Sequence, residues 1–268
     1  LLLSFLATFF YTPYGYLFQK GNNLRSYSLQ LIFGLIVLSF FSLFINFFSP
    51  LNKVLNTTFL IFGLILILYF KHIYFKKKYF IFCLYSSIII FLLITVSNVY
   101  RPDAGLYHLP YINILNEEKI IIGLSNLHFR FGHTSILQYL SASFNNHLFF
   151  ENGILIPAAL IFSFIIIFLI YLIFNEKDRF LVFLSFVFLS FIFFRMNRYS
   201  SFGNDATAHF YYIFLLIYAL KFSGYSNYQN FFNKISLISI FIFFNKITMV
   251  VAFFVPAIFI FNKNFLRM

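Results

Sequence analysis

The chain of 268 residues is 62% hydrophobic and only 10% charged, with a mean hydropathy of +0.89, which excludes a soluble globular domain and is typical of polytopic membrane proteins. Its formal charge of +12 comes from Lys and Arg residues scattered between apolar stretches, so we attribute it to membrane topology and expect no nucleic-acid partner. The single cysteine, Cys83, excludes a disulfide framework and a cysteine-based metal site.

Apolar stretches of membrane length recur along the chain. A hydrocarbon core about 30 Å thick is crossed by roughly 20 apolar residues in a helix, so the pattern predicts an all-α, polytopic integral membrane bundle with about 8–9 spans. We treat residues 1–268 as one transmembrane domain. The predicted spans are residues 1–18, 29–48, 55–70, 79–96, 154–174, 180–194, 206–220 and 235–261.

The last stretch, residues 235–261, is too long for one ordinary span and is interrupted by Asn245 and Lys246. We expect two short helices with a turn near Lys246, and one tilted helix with Lys246 facing the bundle is the alternative. Because the chain begins at Leu1 inside an apolar stretch, we also expect it to be a fragment of a longer protein.

The distribution of Lys and Arg predicts the orientation, because short cytoplasmic loops are enriched in these residues. The predicted cytoplasmic loops carry Lys20, Arg25, Lys71, Lys76, Lys77, Lys78, Lys177, Arg179, Lys221 and Lys234. The opposite side carries Lys53, Arg101, Lys119, Arg130, Arg195 and Arg198. This topology places Asp103 and Asp205 together on the non-cytoplasmic side, and we expect the protein in a bacterial inner membrane with its site facing outward.

A long extracytoplasmic loop, residues 98–152, lies between the predicted spans and holds four of the 7 carboxylates and four of the 6 histidines. Pro110 at a first helical position, followed by apolar residues at helical spacing, predicts a short interfacial helix. A second amphipathic helix is predicted to begin with Thr134 as its cap and to end near Asn145 and Asn146. Two interfacial helices would then roof a polar pocket.

Asp103 is the main candidate for catalysis. As an isolated residue it could simply cap the following helix. Tyr107 and His108 follow four and five residues later, so on a helix begun at Asp103 the tyrosine shares its face and the histidine lies beside it. A carboxylate near a membrane face, flanked by hydrogen-bond donors, is suited to remove a proton from an acceptor hydroxyl.

A second group consists of His128, Arg130 and His133. The two histidines are five residues apart, so they do not share a helix face, and they match no known metal-ligand motif. Metal ligation is therefore the less favoured interpretation. Binding of a phosphate or of sugar hydroxyls, with Arg130 as the anion ligand, and contact with lipid headgroups are the alternatives.

The third group is Arg195, Arg198, Asp205 and His209. It could be a basic loop in which Asp205 caps the next helix. In the functional interpretation the two arginines hold a phosphate group, and Asp205 is a second carboxylate for an acceptor or a divalent cation. Lys246 joins these candidates because a lysine in an apolar setting must be paired or face water.

The order of an apolar span, Asp-x-x-x-Tyr-His, an interfacial helix and an Asn-x-His segment resembles the first functional extracytoplasmic loop of GT-C type polytopic glycosyltransferases, in a bacterial branch of uncharacterised membrane proteins. The resemblance covers residues 101–146 and, more faintly, the chain as far as Asp205. It implies a polyprenyl-phosphate-linked sugar donor, Asp103 as the base, and Tyr107 and His108 as groups that orient the base or contact the donor phosphate. In that superfamily the loop usually follows the first span, whereas about four spans precede it here.

The resulting hypothesis is an enzyme that transfers a sugar from a polyprenyl-phosphate donor to an extracytoplasmic glycan or lipid acceptor, within the lipid bilayer and in cell-envelope glycan synthesis. A transporter or flippase for a glycan or lipid, and a polysaccharide polymerase, are the alternatives. A non-catalytic membrane subunit is a further alternative, which a wide separation of Asp103, His108 and Arg198 would favour. The sequence leaves cofactors open, a divalent cation included.

Overall fold

The computed structural model describes residues 1–96, 102–132, 135–194, 204–224 and 227–261. Every regular element within them is a helix, which confirms the all-α fold class. The α-helices are α1 Leu2–Tyr11, α2 Leu24–Asn46, α3 Lys53–Tyr69, α4 Lys71–Tyr74, α5 Lys77–Val96, α6 Leu109–Glu117, α7 Ile136–Ser143, α8 Ile156–Asn175, α9 Arg179–Phe194, α10 Asn204–Phe222, α11 Tyr228–Asn245 and α12 Phe254–Phe261. Shorter helical turns are Thr12–Gly15, Ala104–His108, Leu124–Asn126, Phe129–Gly132, Phe150–Leu155 and Ile247–Phe253.

Among the residues that the structure describes, three helices are long and apolar enough to cross a membrane. They are Leu24–Asn46, Lys77–Thr95 and Phe150–Asn175. Shorter apolar helices are Lys53–Tyr69, Arg179–Phe194 and Ile247–Ile260. A helix suits the bilayer because it bonds its backbone polar groups within the segment. The helical bundle is therefore compatible with the membrane location that the composition predicts.

The stretch predicted as the first span, residues 1–18, is not one long helix, and that prediction is wrong. α1 has ten residues and continues into the 3₁₀ turn Thr12–Gly15. Pro13 lacks the N–H group that a continuing α-helix would use. A Cβ atom on Gly15 would lie 1.8 Å from the Gln30 carbonyl oxygen, so the turn packs directly on the backbone of α2.

The last apolar stretch is interrupted at Lys246, as predicted. α11 ends at Asn245, and Lys246 is in an extended conformation with φ −151° and ψ 112°. The 3₁₀ helix Ile247–Phe253 and then α12 follow it. The alternative of a single tilted helix through residues 235–261 is therefore wrong.

Several loops that the sequence assigns to the cytoplasmic side meet at one end of the bundle, which we call the basic end. It consists of residues 17–30, 70–79, 171–179, 218–224 and 227–234. The contacts that join these segments are Tyr27 with Ile73, Lys221 with Glu176, and Lys234 with Gln19. The apolar stretches predict that successive loops alternate between the two ends of the bundle. The contacts place these loops at one end, in agreement with that prediction.

The opposite end, which we call the polar end, consists of residues 46–57, 102–132, 135–155, 204–209 and 245–247. Its segments are joined by an asparagine cluster made of Asn46, Asn56, Asn116 and Asn145. The Nδ2 atom of Asn56 lies 2.7 Å from the Leu51 carbonyl oxygen and 2.8 Å from that of Ala142. Asn116 donates to the same two carbonyls, and Asn145 donates to Asn116. The amides supply donors to loop and helix-end carbonyls that are short of them.

The two helices predicted in the long loop are both present, as α6 and α7, but α7 differs from its prediction. Its N-cap is Ser135 and not Thr134, since the Ser135 hydroxyl accepts from Leu137 N and Gln138 Oε1 accepts from Ser135 N. This reciprocal pair is a capping box. All eight residues of α7 are buried. α7 is therefore an internal helix and not an amphipathic helix at the surface, because α2, α6, α8 and α11 surround it.

The close contact at Gly15 leads to a testable expectation. Gly15→Ala should lower the free energy of unfolding by about 1–3 kcal/mol, because the added methyl group collides with the α2 backbone at Gln30. Thermal unfolding can be followed with a thiol-reactive dye, since Cys83 is the only cysteine and is buried. Gly105→Ala is the matched control, because nothing lies within 4 Å of its Cβ position. Equal unfolding temperatures for the two variants would contradict the packing argument.

Candidate functional site

One continuous helical segment at the polar end, residues 102–117, carries Asp103, Tyr107 and His108. Its second turn is π-helical, and the Leu109 N–H group donates to the Ala104 carbonyl. Pro110 has no N–H group to donate, so the regular α pattern is already interrupted at this point. Such π turns occur in α-helices frequently at functional sites. Asp103, just before this turn, is exposed, whereas Tyr107 is partly exposed and His108, at the end of the turn, is buried.

Arg130 contacts both Asp103 and Tyr107. The Arg130 guanidinium lies 4.9 Å from the centre of the Tyr107 ring, and its Nη1 atom donates to the tyrosine hydroxyl at 3.4 Å. The same Nη1 atom lies 3.9 Å from Asp103 Oδ1. The side chains of Asp103 and Arg130 are 54% and 43% exposed, so water screens this ion pair and both groups remain accessible to a ligand.

His108 is buried behind Tyr107, and its ring centre lies 4.1 Å from that of the tyrosine. Its Nδ1 atom lies 3.1 Å from Gln138 Nε2. The orientation of the Gln138 amide is fixed by the capping box, in which Oε1 accepts from Ser135 N. The Nε2 group must then donate to His108, so Nδ1 accepts and the histidine proton resides on Nε2.

Burial shifts the pKa values of His108 and Tyr107 in opposite directions, and both shifts favour the uncharged form. It lowers the pKa of His108 below its ordinary value, while the nearby Asp103 and Asp205 carboxylates oppose this shift. Burial raises the pKa of Tyr107, which the Asp103 carboxylate raises further and the hydrogen bond from Arg130 lowers. Near neutral pH both groups are therefore uncharged, and each keeps a proton that it can donate in a hydrogen bond.

A second ion pair lies at the same end. Lys246 Nζ is 2.8 Å from Asp205 Oδ1, and the lysine is the more buried partner. The adjacent Asn245 is fully buried. Its Nδ2 atom donates to Thr207 Oγ1 at 2.9 Å, and its Oδ1 atom accepts from Ser135 Oγ at 2.6 Å. Asn245 thus connects the break after α11 both to α10 and to the cap of α7.

The two ion pairs form one site, which we call the site cluster. Its members are Asp103, Tyr107, His108, Arg130, Asp205 and Lys246. Asn245, next to Lys246, is hydrogen-bonded to Thr207 of α10 and to Ser135, and Gln138 bonds both Ser135 and His108, so hydrogen bonds connect the start of α10 to the π turn. A continuous chain of hydrogen bonds through Gln138, Ser135 and Asn245 supports this arrangement from inside.

Other sequence candidates are not part of this cluster in the described residues. His128 is exposed, stacks on Phe129, packs at a tilt against Phe131, and accepts a hydrogen bond from Arg130 N at 3.3 Å. His133, Arg195 and Arg198 lie outside the residues that the structure describes.

Several other features of the polar end bear on ligand binding. In the described ranges no three His, Cys, Asp or Glu side chains gather as metal ligands, while Asp103 and Asp205 supply carboxylate oxygens at the site cluster.

A cavity of about 250 Å³ lies beneath the loop and is lined by Tyr111, Lys119, Phe131 and Tyr139 among others.

Sequence reasoning did not find two residues that position the site, Gln138 and Ser135. The signal was present, since a serine followed three residues later by a glutamine is the capping-box pattern. The prediction placed the cap one residue earlier, at Thr134, so the pattern was not recognised. Only the fold reveals that the same glutamine also contacts His108.

The lowered pKa of His108 predicts a loss of stability in acid. An unfolded histidine has a pKa near 6.5, so as the pH falls below about 6.5 the unfolded chain takes up this proton before the folded chain does. The unfolding temperature should therefore fall between pH 7.5 and 5, and less steeply in His108→Gln. His72→Gln, at an exposed histidine of the basic end, should keep the wild-type slope. Identical slopes for wild type and His108→Gln would contradict the assignment.

A family model described as a domain of unknown function, DUF8201, matches residues 1–267. No curated protein and no solved structure matches the chain. The matched residues include both ends of the bundle and all members of the site cluster. Because the match covers nearly the whole sequence, the chain belongs to the DUF8201 family.

Proposed function

We propose that the chain is a polytopic membrane glycosyltransferase of the GT-C type. It would cross a bacterial inner membrane about 8–9 times and move a sugar from a polyprenyl-phosphate-linked donor to a glycan or lipid acceptor on the extracytoplasmic side. Support for this topology comes from three helices of sufficient length and from the contacts that join several of the lysine- and arginine-rich loops. The site would then lie at the opposite, extracytoplasmic end, in cell-envelope glycan synthesis.

The observation that carries the proposal is the half-exposed Asp103 carboxylate beside a loosely held arginine and two uncharged donors. Asp103 is accessible to an acceptor, and Arg130 is accessible to an anion. In the described part of the chain, the hydrogen bond of Arg130 to Tyr107 and its ion pair with Asp103 both involve its Nη1 atom, while the guanidinium also lies over the Tyr107 ring. The remaining guanidinium donors suit a phosphate.

The proposed reaction follows from these positions. The acceptor hydroxyl oxygen forms a bond to the anomeric carbon of the sugar, and its proton passes to Asp103. The bond between that carbon and the phosphate oxygen breaks, and the polyprenyl phosphate leaves with the electron pair. Negative charge grows on the phosphate as the bond breaks, and Arg130 and Lys246 are the cations of the site cluster that can stabilise it.

The uncharged neighbours have supporting roles in this scheme. Tyr107 and His108 keep their protons near neutral pH, so they can donate to the donor phosphate or orient the base. Asp205 holds Lys246 and is the second carboxylate that could contact the acceptor or a divalent cation. We assign further contacts with the donor phosphate or sugar to His128, His133, Arg195 and Arg198, as the sequence predicts.

One observation favours the alternative of a glycan or lipid transporter or flippase. The chain breaks its helical pattern at Asn245 and Lys246, and interrupted helices form the substrate sites of many transporters. Here the break contacts Asp205 and Ser135 at the polar end, which fits a terminal site better than one in the middle of the membrane. Movement of a labelled lipid-linked sugar across proteoliposomes without sugar transfer would favour this alternative.

The base assignment predicts the effect of one near-isosteric change. Asp103→Asn should reduce sugar transfer from a labelled polyprenyl-phosphate donor by about 10²–10⁴-fold, because an amide cannot accept the acceptor's proton. Glu117→Gln is the control, since it neutralises an exposed carboxylate further along the same helical segment. Transfer should be measured with the purified chain in liposomes, at matched protein levels. An active Asp103→Asn protein would refute the base assignment.

The role of Arg130 predicts a different kinetic change. Arg130→Gln should raise the KM for the lipid-linked donor by about 10–100-fold, which corresponds to the loss of one or two charge-assisted hydrogen bonds to the phosphate. Arg130→Lys should recover only part of this loss, because a lysine lacks the planar fork. Lys119→Gln, a charge change elsewhere in the loop, serves as the control. An unchanged donor KM in Arg130→Gln would exclude phosphate binding by this residue.

A further inference from the structure

A cavity of about 420 Å³ opens at the basic end, at the far end of the bundle from the site cluster. It lies between the loop before α2, the end of α10 and the start of α11. Its lining residues are Leu17, Phe18, Gln19, Lys20, Arg25, Tyr218, Phe222, Asn227, Asn230, Phe231 and Lys234. Three of these residues are cations, and no Asp or Glu is among the lining residues in the described part of the chain.

Lys234 is the most informative of the three cations. Its side chain is buried, with 8% of the residue exposed, and its Nζ atom donates to Gln19 Oε1 at 3.2 Å. The ammonium also lies 5.7 Å from the centre of the Phe33 ring. Neither the neutral amide nor the ring carries the negative charge that balances a buried cation. An anion in the cavity would supply that charge.

Arg25 adds a second cation with unused donor capacity. Its Nε atom is buried and makes no hydrogen bond within the described ranges. The guanidinium lies 5.8 Å from the ring centres of both Tyr171 and Phe222, so aromatic groups hold it in position. Glu176, a carboxylate at the same end, is already paired with other groups, because it forms an ion pair with Lys221 and accepts a hydrogen bond from Lys177 N.

The wall of the cavity is held in shape before any ligand binds. Gln30 is fully buried, and its Nε2 atom donates to the carbonyl oxygens of Gln19 at 2.9 Å and of Gly21 at 3.0 Å. Its Oε1 atom accepts from the Tyr74 hydroxyl. Gly21 has φ +136°, a conformation that L residues rarely adopt. These bonds fix the loop that carries Gln19, the partner of Lys234.

We propose that this cavity binds a phosphate-bearing ligand with an apolar or aromatic body. Lys234 and Arg25 would contact the phosphate, with Lys20 at the rim, because charged donors that have no carboxylate partner among the described residues favour a phosphate anion. The rings of Phe222 and Phe231 would contact the body of the ligand. The ligand is either a lipid headgroup or a soluble phosphate ester. The inference concerns the opposite end from the site cluster and does not depend on sugar transfer.

The test uses ligand-dependent thermal unfolding of the purified chain, again read out by a thiol-reactive dye at buried Cys83. The soluble probes are pyrophosphate and naphthyl phosphate, and the lipid probes are mixed micelles of phosphatidylglycerol, with phosphatidylcholine as the neutral reference. The variants are Lys234→Met and Arg25→Gln. Lys76→Met is the matched control, because it removes one exposed lysine from the same end outside the cavity.

We expect an anionic probe to stabilise wild type and Lys76→Met, with a half-saturating concentration at least about tenfold higher in Lys234→Met and Arg25→Gln. Without a ligand, Lys234→Met should be at least as stable as wild type, because it removes a desolvated charge. Stabilisation by phosphatidylglycerol alone would identify the ligand as a lipid headgroup, and stabilisation by naphthyl phosphate a soluble ester. The proposal is overturned if no anionic probe stabilises wild type, or if a folded cavity variant responds as wild type does.

Discussion

Backbone carbonyls buried at the polar end require hydrogen-bond donors, and the side chains of the asparagine cluster provide them. Asn56 and Asn116 both donate to the Ala142 carbonyl near the end of α7, which fixes this internal helix against the loop between α2 and α3. α7 carries Gln138, and Gln138 determines which nitrogen of His108 holds the proton. The tautomer of His108 therefore depends on the side-chain amides of Asn56 and Asn116, which do not contact the site cluster themselves. Without Asn56 and Asn116, the Ala142 carbonyl of α7 would lose these two hydrogen-bond donors.

The two ends of the bundle balance their charges differently. At the polar end each cation of the site cluster has a carboxylate partner, Asp103 for Arg130 and Asp205 for Lys246. A substrate phosphate there must compete with a carboxylate, which suits a ligand that binds and leaves. At the basic end the contacts of the Lys234 ammonium with described residues are to an amide and an aromatic ring. An anion would meet no competing carboxylate among the described lining residues, so tighter binding is expected there.

The sequence predicted features that depend on local pattern. Apolar stretches located most of the helices, the polar pair Asn245 and Lys246 located the break after α11, and alternation of the ends placed Asp103 and Asp205 together. It did not predict which polar residues are buried, because that depends on helices far apart in the chain. Asn56, for example, is bonded to residues more than eighty positions away, and no local pattern distinguishes it from the exposed Asn52. The internal position of α7 was missed for the same reason.

The two ion pairs of the site cluster are unequal, and the inequality supports different roles for their carboxylates. Asp103 and Arg130 are 3.9 Å apart and about half exposed, so their attraction is weak and Asp103 retains lone pairs for a proton. Asp205 and Lys246 are 2.8 Å apart, and the lysine is largely buried beside the fully buried Asn245. The Asp205 carboxylate compensates the positive charge of Lys246, which would be costly to bury without a partner. Of the two carboxylates, Asp103 is therefore the better candidate for the proposed base, and Asp205 the better partner for a cation.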